Sequence, residues 1–547
     1  MKKYISLVLA VFFLLLFSVY VFAEQVIGVS SFTNLTGDKS MSWLEVGIAE
    51  SVSYKLRNIQ DYIVIDRVNV DKVVNEVQLG QSGLLDDTKA KKAGKALGAD
   101  IIVVGSYMKS NNRIRINAKL IEVESHKILK QVQADGVLDN IFELQDEIAL
   151  KIINQTNIAI TQDVKDKITQ NFTSNISAYE FYVKGQEFLL NKLDYPKAIE
   201  MFNKAINIDK NYSLAYAGLG KAYSLRNWEQ RNYANKFDPG LLENSYTFSK
   251  KALEINPNLD EAHLSLARYY QEADEKRFAN KWQLCEDETR KALAINPNNA
   301  EAYFLLSRIY GYDDAKEEDY LLQAIRKNNF LTDAHNNLGV IYLDQNKLDL
   351  AEQSFKKAVE IDPGFKTGYM NLGVVYDRKN ELDKALDMYK TVLQKYPDYP
   401  LGILNLGIGY RRLNMLDQAM EQFRKAVKIK PDYANAWSEI GYIYLLKEQY
   451  RDAIKNYLAS LKYDPQYRYS LANLGYCYTQ LNEYDNAIKY LKQAHQYHSD
   501  YAWPAGYLGW LYRYKINDPV NAKYWYSEAI KRDPGNQDYQ QNLRELQ

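Results

Sequence analysis

Apolar positions recur along this chain in two different patterns. From residue 24 to about 160, short continuous apolar runs alternate with helical stripes, whereas beyond about residue 178 only helical spacing remains. Val26–Val29 predicts a buried strand, followed by a turn over Asn34–Asp38 and a helix with Leu44, Ile48, Val52 and Leu56 on one face. Tyr62–Ile65 is a second strand, and Val70, Val73, Val74 and Val77 recur at helical spacing. Asp86 or Asp87 is placed to cap the next helix, which ends at Gly98, and Ile101–Val104 returns to strand. After a hairpin turn at Asn111-Asn112, Ile114, Ile116, Ala118 and Leu120 alternate with polar residues, the pattern of a strand with one wet face. A turn at Glu124–Lys127 leads to Ile128 and Leu129, and an amphipathic helix follows through Ile141, Ile148 and Ile152. The predicted order is β-α-β-α-α-β-β-β-α, an α/β domain with a mixed sheet.

Between Asp333 and Ser499 the chain repeats itself every 34 residues. Glycine recurs at 339, 373, 407, 441 and 475, with tyrosine three residues later at 342, 376, 410, 444 and 478. A small residue opens the second half of each unit at Ala351, Ala385, Ala419, Ala453 and Ala487. Phe355, Tyr389, Phe423, Tyr457 and Leu491 follow, and Pro363, Pro397, Pro431 and Pro465 close the units. Glycine and alanine let two helices approach, the large side chains fill the gap, and proline stops the second helix. This pattern is identified as the tetratricopeptide repeat, a helix-turn-helix unit that stacks into an all-α superhelical solenoid. Five looser units share it, with Gly185, Gly220, Ala267, Ser307 and Gly509 at the glycine position. Measured against the regular period they carry insertions of 1, 13 and 6, a deletion of 2 and a last insertion of 1, so ten units run from 178 to 536. Residues 537–547 read as a polar capping helix, and 161–177 as a linker.

Four blocks of the first domain resemble the TolB amino-terminal-like domain, which is related to the flagellar FlgO and curli-assembly CsgG families of bacterial envelopes. They are Phe32–Asp38, Gly98–Ser106, Arg115–Ile121 and Ile141–Ile148. One departure is Ser31, where that family usually has proline. The resemblance implies a bacterial protein and a module that often precedes a tetratricopeptide array. It brings no known active site, so no catalytic residue is carried over.

Lys2 and Lys3 precede an apolar run from Tyr4 to Phe22, and Val21-Phe22-Ala23 offers small residues before Glu24. Residues 1–23 are therefore expected to be a secretory signal cleaved after Ala23, leaving 24–160 as the mature α/β domain with its trailing helix. The alternative is an inner-membrane anchor through residues 4–22, since the run approaches the roughly 20 residues that span a bilayer. The expected location is periplasmic.

Composition narrows the function. The 69 Lys+Arg balance 69 Asp+Glu, which argues against nucleic acid as a partner. Two cysteines and five histidines are too few for a disulfide framework or most structural metal sites. His495 and His498 lack a third ligand nearby in sequence, and Gly218–Lys221 and Gly407–Gly409 lack the third glycine and strand of a phosphate loop. No enzyme activity, cofactor or metal is expected. Tyrosine is over-used, 46 in 547 residues, and the repeat accounts for most of it.

The expected site is the concave face, which the first helix of each unit lines in this repeat family. One residue after each glycine come Val340, Val374, Ile408, Tyr442, Tyr476 and Trp510, a row that turns aromatic toward the C-terminus. Arg378, Arg411, Arg412 and Arg513 edge it. Such a floor suits a protein or peptide ligand with an aromatic or acidic anchor, although these rows also suit helix packing and a solvated basic face. The Lys/Asn clamp that grips chaperone tails in some relatives is missing, with Asn336, Met370 and Leu404 in place of its lysine. The insertions near 224–244 and 271–281 are expected to lengthen loops. Together these readings favour a non-enzymatic, exported scaffold whose array binds a protein and whose residues 24–160 join an envelope complex. The alternatives are an accessory of a curli- or flagellar-type assembly that oligomerises through the first domain, and a regulatory partner of a signalling enzyme.

Overall fold

A computed structural model describes residues 24–546 apart from 78–86, 125–127, 157, 159, 234–237, 275–277 and 499. The expected signal segment and Asp86 lie outside the described residues. The chain divides into two compact units, Met1–Leu338 and Gly339–Gln547.

The first unit begins with a six-stranded sheet in the order β3-β1-β4-β5-β6, with a short β2 beside β4. Strands β1 (Gln25–Val29), β3 (Tyr62–Ile65) and β4 (Ile101–Ser110) are parallel. β5 (Arg113–Glu122) and β6 (Ile128–Val137) continue antiparallel. β2 is Thr33–Asn34, two residues of strand at the edge of the expected turn. Helices α1 (Trp43–Leu56) and α4 (Ile141–Ile153) cover one face, joining Leu44, Ile48, Val52 and Ile148 to Ile27, Val103, Ile116 and Leu120. Helices α2 (Arg67–Glu76) and α3 (Asp87–Leu97) cover the other through Val70, Val74 and Leu97. The parallel strands are buried on both faces, which is why they read as continuous apolar runs. Gly98 ends α3 at φ 64°, a left-handed conformation that costs glycine nothing.

A short helix, α5 (Gln162–Ile168), buries Ile168 in the same core and accepts a 2.8 Å hydrogen bond from Lys55 at its last carbonyl. Four helical pairs complete the unit: α6 (Ile176–Gln186) with α7 (Tyr195–Ile208), α8 (Ser213–Tyr233) with α9 (Pro239–Ile255), α10 (Asp260–Glu272) with α11 (Lys281–Ile295), and α12 (Ala300–Ile309) with α13 (Asp314–Lys327). α6 packs on the α/β core through Tyr179, whose hydroxyl donates to Gly47 O at 2.5 Å and whose ring meets Trp43 edge-on at 5.7 Å. The insertion of 13 residues differs from its expected loop form. α8 continues for 21 residues to Tyr233, and Asp238 caps α9 with Pro239 in its first turn. Asn227 explains part of this, because its buried amide donates to Glu272 at 2.5 Å and so ties the extra turns of α8 to α10.

Gly339–Gln547 is built of paired helices at the 34-residue spacing, ending in a short helix at Gln537–Arg544. Each repeat glycine lies against the large residue of its partner helix. A Cβ would stand 2.6 Å from Phe355 at Gly339, 2.2 Å from Tyr389 at Gly373 and 2.5 Å from Phe423 at Gly407. Between the two helices of each regular unit, one residue is left-handed: Asn346, Asn380, Asn414, Glu448 and Asn482, with φ from 56° to 62°. The next N–H then reaches back to the repeat tyrosine's carbonyl, as Lys347 does to Tyr342 at 2.7 Å, closing the first helix. Asparagine adopts this conformation at lower cost than glutamate. Glu448→Asn is therefore expected to stabilise the protein by about 0.5 kcal/mol, and Glu448→Gly by about 1 kcal/mol, read as a rise in the urea midpoint.

The two single-residue insertions are absorbed as π-helical turns, Glu187–Asn191 after α6 and Tyr512–Ile516 after the helix Trp503–Leu511. Cys285 and Cys477 are both free and buried, and burial pushes each thiol up to about 12.

Candidate functional site

The sequence-derived site residues all fall in the second unit, on the first helices of its repeats or, for Arg513, in the π turn that continues one. Ile408 is half-buried against the core that holds Phe423 and Ile443. Tyr442 is half-buried beneath Arg411, whose guanidinium carbon lies 5.0 Å from the ring centroid. Tyr476 meets Tyr507 at 5.7 Å. Trp510 belongs to a longer stack. Trp503 and Tyr507 are parallel at 4.9 Å, Tyr507 and Trp510 at 5.3 Å, and Trp510 and Tyr514 are tilted at 6.0 Å. Tyr501 extends the stack beyond Trp503 at 6.4 Å. The signal for Trp503, Tyr507 and Tyr514 was present in the sequence: with Trp510 they are spaced by four, three and four residues, one stripe of a helix.

The arginines are engaged within the chain. Arg378 Nη1 donates to Leu343 O at 2.8 Å, and Arg412 Nη1 to Asp377 O at 2.9 Å. Both thereby satisfy carbonyls in the last turn of the preceding unit's first helix, where the helix dipole favours a cation. Arg411 Nε lies 2.9 Å from Glu439 Oε2. Arg513 holds the C-terminal segment, donating to Asn542 Oδ1 at 2.9 Å and Glu545 Oε2 at 2.8 Å. His495 faces Arg532 and Glu528, while His498 meets Gln466 O, so these two imidazoles have different partners. Among the described residues no group of three or more His, Cys, Asp or Glu side chains is placed to hold a metal.

The first unit holds a feature the sequence reading missed. A cavity of about 340 Å³ lies between the α/β domain and the first helices of its repeats. Its floor is Leu214 and Lys221 of α8, Glu261, Leu264, Ser265 and Arg268 of α10, and Glu301 of α12. Its roof includes Tyr54 and Arg57 from α1 and its C-terminal end, and Tyr62 and Asp66 around β3. The rim is fastened by Asn298, which donates to Tyr62 O at 2.8 Å, and by Asn328, which donates to Asp66 Oδ2 at 2.9 Å. Lys327 adds an ion pair to Glu24. Inside, Lys221 and Arg268 flank Glu301 at 3.6 and 3.1 Å, and Lys221 above all holds that carboxyl at about 2. Burial instead pushes the Glu261 carboxyl up. Lys221 and Arg268 each follow a repeat glycine position by one residue, the offset of the groove row in the second unit, so they correspond to Tyr442 and Tyr476. They escaped notice because the irregular spacing of these units broke the row.

Comparison with known proteins fits this architecture. Residues 16–135 match the family described as FlgO protein. Residues 332–365, 368–399, 409–447 and 447–500 match tetratricopeptide repeat families. The chain is a tetratricopeptide-repeat protein with an amino-terminal FlgO-like domain, a protein-interaction scaffold by its repeats. One curated relative, "Putative adenylate cyclase 3" of Rhizobium meliloti (strain 1021), is 25% identical over 247 residues, which cover 45% of this chain and 40% of the relative's length. Among solved structures, the APC/C hetero-tetramer Cut9-Hcn1 is 18% identical, covering 75% of this chain and 84% of that one at a TM-score of 0.39. YrrB, described as a TPR protein with an unusual peptide-binding site, is 22% identical over 34% of this chain and 95% of its own, at a TM-score of 0.27. PilF of Pseudomonas aeruginosa is 20% identical over 39% of this chain and 97% of its own, at a TM-score of 0.35.

Proposed function

We propose that this protein is an exported, non-catalytic scaffold of a bacterial envelope, which captures an extended protein segment on the aromatic face of its last repeats. The observation that carries this reading is the stack of Trp503, Tyr507, Trp510 and Tyr514 with Tyr476 beside it. Several rings on one face, half-buried or exposed, offer large apolar contact at low entropic cost. Arg378, Arg412 and Arg513 act in this reading as braces between helices rather than as ligand contacts. Export follows in this reading from the apolar run before Glu24, and an envelope location from the FlgO match. The FlgO-like domain is then the part that joins an envelope complex.

The double variant Tyr476→Ala/Trp510→Ala is expected to lose at least tenfold in capture of the native envelope partner while keeping the wild-type circular dichroism spectrum. Capture at wild-type level by a folded double variant would refute the placement. Detection of a mature N-terminus at Glu24 would support export with cleavage, and a peptide spanning Ala23-Glu24 in the mature protein would contradict it.

A further inference from the structure

The sheet of the FlgO-like domain has two edges, and the chain treats them differently. β3 is four residues long, and the repeats cover its outer side: the Asn298 amide donates to Gln60 O at 3.1 Å and to Tyr62 O at 2.8 Å. β6 is ten residues long and packs chiefly against β5 and α4.

The register fixes which backbone groups of β6 point outward. Leu138 N–H donates to Asn112 O at 2.9 Å, and hydrogen-bonded pairs alternate from there, so Gly136, Ala134 and Val132 exchange their bonds with Ile114, Ile116 and Ala118 of β5. Gln131, Gln133, Asp135 and Val137 therefore turn their N–H and C=O groups away from the sheet. Lys151 Nζ reaches one of these carbonyls, Gln133 O, at 2.6 Å. The outward N–H groups have no acceptor among the described residues. Such an edge is a template for another strand, and proteins that keep it single shorten it, cover it or interrupt it with proline. β6 contains no proline, and Gln131, Gln133 and Asp135 are exposed.

The edge also matches itself. In an antiparallel pair about a two-fold axis at Gln133, that residue faces its own copy, and Gln131 faces Asp135, amide against carboxylate. On the opposite face Lys130 meets Gly136, which leaves its long chain room, and Val132 meets Ala134, so no like charges stand opposite each other. Because the repeats cap the β3 edge, neither chain would keep an open edge from which a filament could grow, and pairing stops at two.

We propose that this protein forms a two-fold symmetric dimer by pairing β6 with the same strand of a second copy, which joins their two sheets into one. Gln131, Gln133 and Asp135 then gain backbone bonds that the single chain leaves to water, and Lys151 keeps Glu147 as its partner.

Light scattering during size-exclusion chromatography of the full chain is expected to give the mass of two chains. Gln133→Pro is expected to give the mass of one at the same concentration, its dimer weakened about tenfold or more. That variant is expected to melt close to wild type, since the Gln133 N–H has no acceptor within the chain and an edge strand tolerates proline there. Cysteine variants test the register without relying on proline. Gln133→Cys is expected to form an intermolecular disulfide on oxidation, being opposite its own copy, whereas Gln131→Cys, opposite Asp135, is not. The native Cys285 and Cys477 are buried and do not compete. A single-chain mass for the wild type, or an assembly larger than two chains, would overturn the proposal. So would an unchanged dimer in folded Gln133→Pro protein, or equal crosslinking of the two cysteine variants.

Discussion

Arg67→Ala is expected to destabilise the first unit by about 3–5 kcal/mol, the usual cost of removing one partner from a buried charge cluster. The Arg67 side chain is only 2% exposed and faces three carboxylates: Glu50 at 2.7 Å, Asp71 at 2.6 Å and Glu187 at 3.1 Å. These come from α1, from α2 and from the π turn after α6, so one guanidinium joins the α/β domain to the first repeat. Arg67→Lys is expected to recover less than half of the loss, because an ammonium cannot span three carboxylates in a plane. Urea denaturation with circular dichroism measures both variants. An Arg67→Ala protein within 1 kcal/mol of wild type would show that the three acids find other partners. Ser31, the departure from the resembling family's proline, belongs to this cluster. Its N–H donates to Asp71 Oδ1 at 2.7 Å and its hydroxyl to Oδ2 at 2.6 Å. Proline offers neither donor, so the substitution that breaks the family pattern supplies the contacts that orient Asp71 for Arg67.

Gly373→Ala is expected to destabilise the second unit by about 2–3 kcal/mol. The added methyl would stand 2.2 Å from Tyr389 Cε1, and that ring is only 3% exposed, with no free direction in which to move. The double variant Gly373→Ala/Tyr389→Leu is expected to recover about half of the loss, measured by the same denaturation. The chain already contains such pairs. Gly220 faces Ser249 instead of an aromatic ring, and where alanine or serine replaces the glycine, at 267 and 307, the corresponding second-helix residues are Thr289 and Leu321, both fully buried. A single Gly373→Ala that leaves the midpoint unchanged would mean that the repeat tolerates a wider helix spacing.

The repeats were legible because each task falls to one residue type at a fixed interval. Gly, Tyr, Ala and Pro at 34-residue spacing leave little freedom in where the helices start and stop. The α/β domain was legible for a related reason: its parallel strands are buried on both faces, and helices with a single apolar stripe separate them. The insertion at 224–244 was misread as loop because Gly and Pro, the usual breakers, cluster only at its end, at Pro239-Gly240, while the residues before them extend α8. The aromatic row was visible only in part. Tyr442, Tyr476 and Trp510 share a repeat position, whereas Trp503 and Tyr507 join through helical spacing within a single unit. The cavity was not legible at all, since its lining residues, such as Tyr54 and Arg268, lie far apart in sequence and only the fold brings them to one space.

The two π turns have a consequence for how such a chain changes length. One extra residue in an α-helix would rotate everything after it by about 100° and turn a buried stripe toward water. At Glu187–Asn191 and Tyr512–Ile516 the extra residue is taken up in a widened turn, and the faces on either side keep their direction. Gly185 still lies against Phe202, and Gly509 against Tyr526, with the same close approach as in the regular units. An array built this way can gain single residues one repeat at a time, each change confined to the corner where it occurred, and the neighbouring repeats need no compensating substitution.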